Sequence, residues 1–308
     1  FLLDAFALIY RAYFAFAKNP RINSKGLETS AVFGFTNSLL EILRKENPSH
    51  IAVVFDTKKP TERHIEFPQY KAHRDAMPEG ISLALPYIDK LLEALKIPKL
   101  FMDGYEADDV IGTIAKKAEK NGFQVYMMTS DKDFAQLVSE NIFMHRPGNK
   151  WQPTETWGIK EVLDKFQIKR VEQVIDFLAM MGDAADNIPG ISGVGKKTAQ
   201  KFINDYDSVE GLFANTDKLK GKIREKVASS KEIGLLSKKL VTIITDVPIE
   251  IDFGQMELNI KDLDELTNLF EELEFRNFLN RFSQLIHNEE ETPMEKREII
   301  DNEKTDDS

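Results

Sequence analysis

Short apolar runs recur through the first part of the chain, each followed by a stretch of helical periodicity. FLLD opens the sequence, HIAVVFD covers 50–56, KIPKLFMD covers 96–103 and FQVYMMTSD covers 123–131. Between them, residues 30–46, 80–95 and 106–121 repeat apolar positions at the three-to-four spacing of an amphipathic helix. Strand and helix in alternation predict an α/β fold, a mostly parallel sheet with helices on both faces. After about residue 150 the pattern changes, and helical segments follow one another at 159–166, 171–181, 196–205, 208–214, 231–239 and 262–274. The expected organisation is an α/β core over 1–182, a helical region over 183–287 and an acidic, disordered linker over 288–308, where core-forming residues are few.

Composition narrows the chemistry. With 308 residues, 42% of them hydrophobic, the chain can bury a real core. It lacks a continuous apolar run of about 18 residues, and Asp4 and Arg11 interrupt the apolar start. Neither a membrane span nor a signal peptide is expected, which leaves the cytoplasm as the location. Cysteine is absent, so disulfides, thiolate nucleophiles and cysteine zinc sites are excluded together. The histidines (His50, His64, His73, His145 and His287) show no ligand spacing. A bound metal must then be held mainly by oxygen, which points to Mg²⁺ or Mn²⁺.

The net charge of −10 argues against nucleic acid only until its distribution is considered. Residues 288–308 carry nine acids against three bases, whereas 191–240 carry eleven Lys and Arg against six Asp and Glu. A basic surface is therefore possible on an acidic protein.

The acids are placed tellingly. In parallel α/β sheets, the residues just past the carboxyl ends of the strands meet on one edge, where ligands bind. Asp4 ends the first apolar run and Asp56 the second; Glu106, Asp108 and Asp109 follow the third by a short turn, and Asp131 and Asp133 follow the fourth. Acids at 106–109 could equally cap the helix that begins there. Seven carboxylates converging on one edge, however, would repel one another unless cations or large pKa shifts relieve them.

A second constellation reads MMGDAADNIPGISGVGKKTAQ over 180–200. Asp183 and Asp186 stand at the end of an apolar helix ahead of a turn, and a turn role suits them as well as a metal role. Gly190, Gly193 and Gly195 then precede Lys196, Lys197 and Thr198 at a new helix N-terminus, a setting in which backbone N–H groups can approach phosphate. A phosphate-binding P-loop is excluded because Lys197 stands where Ser or Thr should hold Mg²⁺, and because the segment follows a helix and a proline instead of a strand. A helix-hairpin-helix gripping a nucleic-acid backbone fits better.

LLDAFALIYRAY, GLETSAVFGF, VVFDTKKPTERH, YKAHRDAMPEG, GYEADDVIG, TSDKDFAQLV and MGDAADNIPGISGVGKKTA, in this order over 1 to about 285, resemble the 5′-nuclease (flap endonuclease) family. Within it the likeness is greatest to the 5′-to-3′ exonuclease domains that stand at the N-terminus of bacterial DNA polymerase I. The resemblance implies a PIN-like nuclease core and a metal site of Asp4, Asp56, Glu106, Asp108, Asp109, Asp131, Asp133, Asp183 and Asp186 around two or more divalent ions. It implies that Tyr70, Lys71 and Arg74 lie on a helix over the site and act on the scissile phosphate. Arg11 becomes a phosphate contact. The hairpin at 190–198 becomes the duplex-binding element, with K⁺ on its backbone carbonyls. One position departs from the family: Ala5 stands where a glycine is usual.

The expectation is therefore a monomeric, metal-dependent 5′-to-3′ exonuclease and flap endonuclease acting on duplex DNA with a 5′ flap, nick or end, joined to polymerase domains beyond residue 308. Two metals about 4 Å apart can activate water and stabilise the leaving oxygen without a protein general base. A phosphatase would need a second acid two residues after the first, but the strand continues Asp4-Ala5-Phe6. An inactive nuclease fold that only binds DNA would be expected to lack some of the carboxylates.

Overall fold

The computed structural model describes residues 1–148, 153–260 and 263–290. Its strands are β1 (Leu2–Asp4), β2 (Ala52–Val54), β3 (Lys99–Leu100), β4 (Val125–Met128), β5 (Ile142–Arg146) and β6 (Glu155–Trp157). They form one sheet in the order β3-β2-β1-β4-β5-β6, parallel except for β6. Leu3, Val53, Val54 and Met127 are fully buried, as expected of parallel strands covered on both faces.

The helices are α1 (Ala5–Ala15), α2 (Ser30–Lys45), α3 (Glu62–Glu66), α4 (Glu79–Ala94), α5 (Ala107–Lys120), α6 (Ile159–Phe166), α7 (Gln173–Met181), α8 (Lys196–Tyr206), α9 (Val209–Ala214), α10 (Lys222–Ser229), α11 (Lys231–Val241), α12 (Asp264–Leu273) and α13 (Phe278–Glu290). None among the described residues is long and apolar enough to cross a membrane.

The described residues divide into two compact units, one within 1–11, 50–78 and 98–256, the other within 12–49, 79–97 and 257–290. The first holds the whole sheet. In it α5 lies across β1, β2, β4 and β5, while α7 packs on α8, on α11 and on a 3₁₀ turn at Lys132–Leu137. One buried core runs through this unit from Leu2 to Met256. The division therefore does not fall at residue 182, because α7, α8, α9 and α11 share the core of the sheet and have none of their own. In the second unit α4 packs on α2 and α12, and α13 packs on α2. Phe33 of α2 meets Phe275 and Phe278 edge-on, with ring centroids 5.4 and 5.1 Å apart.

Helix α13 continues to Glu290, past the expected linker start at 288; the rest of that tail lies outside the described residues.

β1 pairs with β2 on one side (Leu3 with Val53) and β4 on the other (Leu3 with Met128). β1 is thus central, and the chain crosses to its opposite side when it passes from β3 to β4. Such a switch point opens a crevice at the carboxyl ends of the strands. Asp4 is the last residue of β1 and faces this edge.

Candidate active site

Each acid at the sheet edge is fixed by the element that ends or begins there. Asp4 is buried; its Oδ1 accepts the Ala7 N–H at 3.0 Å and its Oδ2 accepts the Thr129 hydroxyl at 3.1 Å, which ties the end of β1 to the end of β4. Asp56 follows β2 and accepts the Ala107 N–H at 2.9 Å, capping α5. Asp131 follows β4 and accepts the Asp133 N–H at 2.9 Å, at the start of the 3₁₀ turn.

The third acidic group splits. Glu106 is buried, and its Oε2 accepts the Tyr70 hydroxyl at 3.0 Å while its Oε1 faces the Lys71 ammonium at 3.0 Å. Asp108 is half-buried beside them. Asp109 turns inward and is fully buried. Its Oδ2 accepts Arg63 Nη1 at 2.7 Å and the Glu106 N–H at 3.2 Å; its Oδ1 accepts Arg63 Nη2 at 2.7 Å and the Ile244 N–H at 2.9 Å. A carboxylate has about four lone-pair positions, and all of them are taken. Asp109 is thus corrected from metal ligand to buried anchor, and the capping alternative holds for it.

The remaining two acids are brought to the same place by a tight hairpin. Asp183 and Ile188 form an isolated antiparallel bridge, closed by Asp183 N–H to Ile188 O at 2.9 Å and Ile188 N–H to Asp183 O at 2.7 Å. Gly182 (φ 73°) and Gly190 (φ 67°) cross at the base, where a Cβ on Gly190 would lie 2.6 Å from the Gly182 nitrogen. Only glycine permits both the positive φ and that approach. Gly190 is buried, so its part is to close the hairpin, in place of the expected contact with DNA. Gly193, Gly195, Lys196 and Lys197 are exposed, and Thr198 is half-buried at the start of α8.

Tyr70 and Lys71 are not on a helix. They lie in a turn just after the short helix α3, with Arg74 at its end, and Lys71 has φ of 54°. The turn is held by the Lys71 N–H to the Asp186 carbonyl at 3.0 Å and by Asn187 Nδ2 to the Gln69 carbonyl at 2.7 Å. The Lys71 ammonium stands 3.7 Å from Asp186 Oδ2, and Arg74 donates to Asp186 Oδ1. Arg11 spends its guanidinium on the carbonyls of Pro147, at 2.6 Å, and Gly148, so its expected phosphate contact is replaced by a loop anchor.

The electrostatics reflect the crowding. Burial pushes Asp4 up to about 6, with the charges of Asp56 and Asp131 adding to it. Burial and then Asp131 push Asp133 up to about 8. Asp108 is raised well above the carboxylate range by burial and by Asp4 and Asp131. Burial opposes the charge on Lys71, yet Glu106 and Asp186 outweigh it and keep the ammonium protonated. Burial likewise raises Asp183, but Lys132 reverses this and holds it below the usual range.

Two contributors carry no signal that singled them out in the sequence: Arg63, which also donates to the carbonyls of Leu240 at 3.0 Å and Thr242 at 2.8 Å, and Lys132, which bonds Asp183. Lys132 could have been suspected from its place between Asp131 and Asp133; nothing in sequence joins Arg63 to Asp109, 46 positions away.

The donor set suits hard divalent cations. It is all oxygen, burial and then neighbouring carboxylates raise Asp4 and Asp133 above the usual carboxylate range, and Asp133 Oδ1 is buried with no hydrogen-bond partner among the described residues. The side chains are not yet gathered for ligation: among the described residues no three of them already form a group that could hold a metal, and lysine and arginine counter-charges stand between them.

The family model described as "5′-3′ exonuclease, N-terminal resolvase-like domain" matches residues 1–167, and "5′-3′ exonuclease, C-terminal SAM fold" matches 169–274. A 5′-3′ exonuclease of Aquifex aeolicus is 36% identical over 285 residues, covering 92% of this chain and 95% of that protein. DNA polymerase I of Bacillus caldotenax is 38% identical over 297 residues, covering 96% of this chain but 33% of the polymerase, so the chain spans about a third of that relative's length. The fold is similar to the T5 D15 protein co-crystallised with metal ions, with a TM-score of 0.62 and 22% identity over 79% of this chain and 89% of that one.

Proposed function

The chain belongs to the 5′-3′ exonuclease family, and from that premise we propose that it hydrolyses DNA phosphodiester bonds at its acidic sheet edge, in the 5′-to-3′ direction and at 5′ flaps. The observation that carries this reading is the placing of eight carboxylates at four strand ends and one hairpin, near enough to act on one another's protonation, with Lys71 and Arg74 beside them.

Asp4, Asp56, Glu106, Asp108, Asp131, Asp133, Asp183 and Asp186 would hold two or more Mg²⁺ or Mn²⁺ ions, which supply an activated water and stabilise charge on the leaving oxygen. The chain's own groups do the rest. Lys71 and Arg74 present fixed positive charge at the edge, where it acts on charge developing on the phosphate. Tyr70, kept protonated by burial and by Glu106, donates to Glu106 and fixes which way that carboxylate faces. Arg63 and Asp109 work beneath it: Asp109 accepts the Glu106 N–H, so the backbone from which Glu106 projects is held by a buried ion pair.

The duplex is proposed to lie on the exposed start of α8. Gly193 and Gly195 let the backbone approach phosphate, and Lys196 and Lys197 add charge. K⁺ on the hairpin carbonyls would strengthen that contact. DNA as substrate suits the cytoplasm. The nuclease reading needs no attached polymerase, because the Aquifex aeolicus relative is matched over 95% of its length; polymerase domains in the same chain are proposed from the polymerase I relatives.

The test is digestion of flap, nicked and single-stranded DNA labelled at either the 5′ or the 3′ end, with Mg²⁺ or Mn²⁺ and with chelator. Short labelled products from the 5′ end alone, only with metal, are expected. Removal of terminal phosphate without chain cleavage would make the protein a phosphatase.

A further inference from the structure

Lys132 has no part in the reaction proposed above, yet its position is that of a cation in the site. It begins the 3₁₀ turn between Asp131 and Asp133. Its ammonium bonds Asp183 Oδ2 and stands 3.9 Å from Asp133 Oδ1. It thereby joins an acid of the β4 end to an acid of the 182–190 hairpin. Asp133 Oδ1 is buried and has no hydrogen-bond partner among the described residues, so this carboxylate keeps an unpaired acceptor beside the place that the lysine neutralises.

Lys71 offers the contrast. It too sits on two acids, but its side chain is 17% exposed, its backbone N–H is bonded to Asp186 and its ammonium lies 4.9 Å from the Tyr70 ring centre. Lys132 is 39% exposed and its ammonium is held by acids, so it can swing to solvent at little cost.

We propose that Lys132 is a built-in stand-in for a divalent cation: it holds Asp133 and Asp183 together when the cation is absent and must be displaced when the cation binds there. The inference rests on the metal reading of the site. Its consequence is competition. Asp133 and Asp183 bind their cation more weakly than their charge would allow, and the protein survives without metal because the lysine screens the two acids. A lysine that merely shaped the turn would have the opposite effect on metal when removed, since a loosened site binds less well.

The experiment is calorimetric titration of the full chain with Ca²⁺, in the absence of DNA, for wild type, Lys132→Met and Lys132→Arg, alongside thermal melting in chelator and in Ca²⁺. Lys132→Met should tighten the weaker binding step by up to about fivefold, the size of a half-exposed ion pair expressed as an equilibrium. It should also lower the melting temperature in chelator and widen the gap between chelator and Ca²⁺. Lys132→Arg should stay near wild type in both. If Lys132→Met is too unstable for titration, Lys132→Gln serves, and the Ca²⁺-dependent melting gap gives the same answer. Unchanged or weaker Ca²⁺ binding in the neutral variants would overturn the inference while leaving the metal reading intact; a wild type that binds no Ca²⁺ would overturn both.

Discussion

At the scale of the residue, the buried pair Arg63–Asp109 is where chemistry and stability separate most sharply. Removing one partner of a buried, fully hydrogen-bonded ion pair leaves an uncompensated charge and typically costs about 3–5 kcal/mol. Asp109→Asn should therefore lower the unfolding midpoint in urea strongly, and whatever fraction stays folded should still bind metal. Asp131→Asn should do the reverse, abolishing metal-dependent cleavage without a fall in stability in chelator, because it removes one of several crowded charges. Equal stability losses in both variants would refute this division. The two acids look alike in sequence, each part of a motif rich in Asp. What distinguishes them is a side chain 46 positions from Asp109 together with the Ile244 N–H, and no local pattern carries contacts of that range. Asp4, Asp56 and Asp131 were legible because strand ends in a parallel sheet share an edge by geometry alone.

At the scale of the element, legibility followed periodicity. Helices α2, α4, α5 and α6 lie within a residue or two of their expected positions, because each repeats apolar residues over several turns. Strands β5 and β6 carry no comparable signal in the sequence. The apolar run Ile142–Met144 is cut short by His145 and Arg146, and buried His145 is accommodated by a 2.9 Å contact with the Thr156 hydroxyl on β6 that only the paired strands create. The family resemblance implies a helix carrying Tyr70, Lys71 and Arg74, but α3 ends at Glu66 and Lys71 adopts positive φ to reach Asp186.

The sheet edge as a whole makes a prediction about pH. Asp4 and Asp133 have folded-state pKa values raised to about 6 and about 8. Raised acids bind more protons in the folded than in the unfolded state, so their contribution to stability is full at low pH and is lost as pH rises through those values. The metal-free protein should melt at progressively lower temperature between pH 5 and about pH 8.5, and saturating Mg²⁺ should flatten the slope. A melting temperature that rises over this range in chelator would show that burial and the neighbouring acids do not raise Asp4 and Asp133 in the folded protein.

The start of α8 behaves differently, since Lys196 and Lys197 are exposed. Lys196→Ala with Lys197→Ala should lower the slope of log affinity against log salt by about 0.9 for each phosphate that the protein no longer neutralises, for all duplex sequences alike. Single-turnover cleavage of saturated substrate should stay near wild type. A double variant with unchanged salt slope would put the duplex elsewhere.

At the scale of the whole molecule, the question is which stretch of chain folds together. The change of pattern after residue 150 invited a boundary near 182, and the two family matches meet at 167–169. The packing contradicts a separable core ending at 182. Buried Phe177, Leu178 and Met180 of α7 would lose the α8 and α11 side chains that cover them, since all belong to one core. Arg63 would lose the Leu240 and Thr242 carbonyls, Asp109 the Ile244 N–H, and the site Asp183 and Asp186. Exposing several large apolar side chains costs about 1.5–3 kcal/mol each, and a domain has only about 5–15 kcal/mol to lose. A fragment of residues 1–182 should therefore be aggregated or without a cooperative melt. A fragment of residues 1–290 should melt with a sharp transition that metal shifts upward, since a ligand that binds only the folded state stabilises it. A cooperative melt from the shorter fragment would mean that the sheet and α7 are sufficient to fold, and that the helices beyond residue 182 are an attachment to the catalytic core instead of one of its walls.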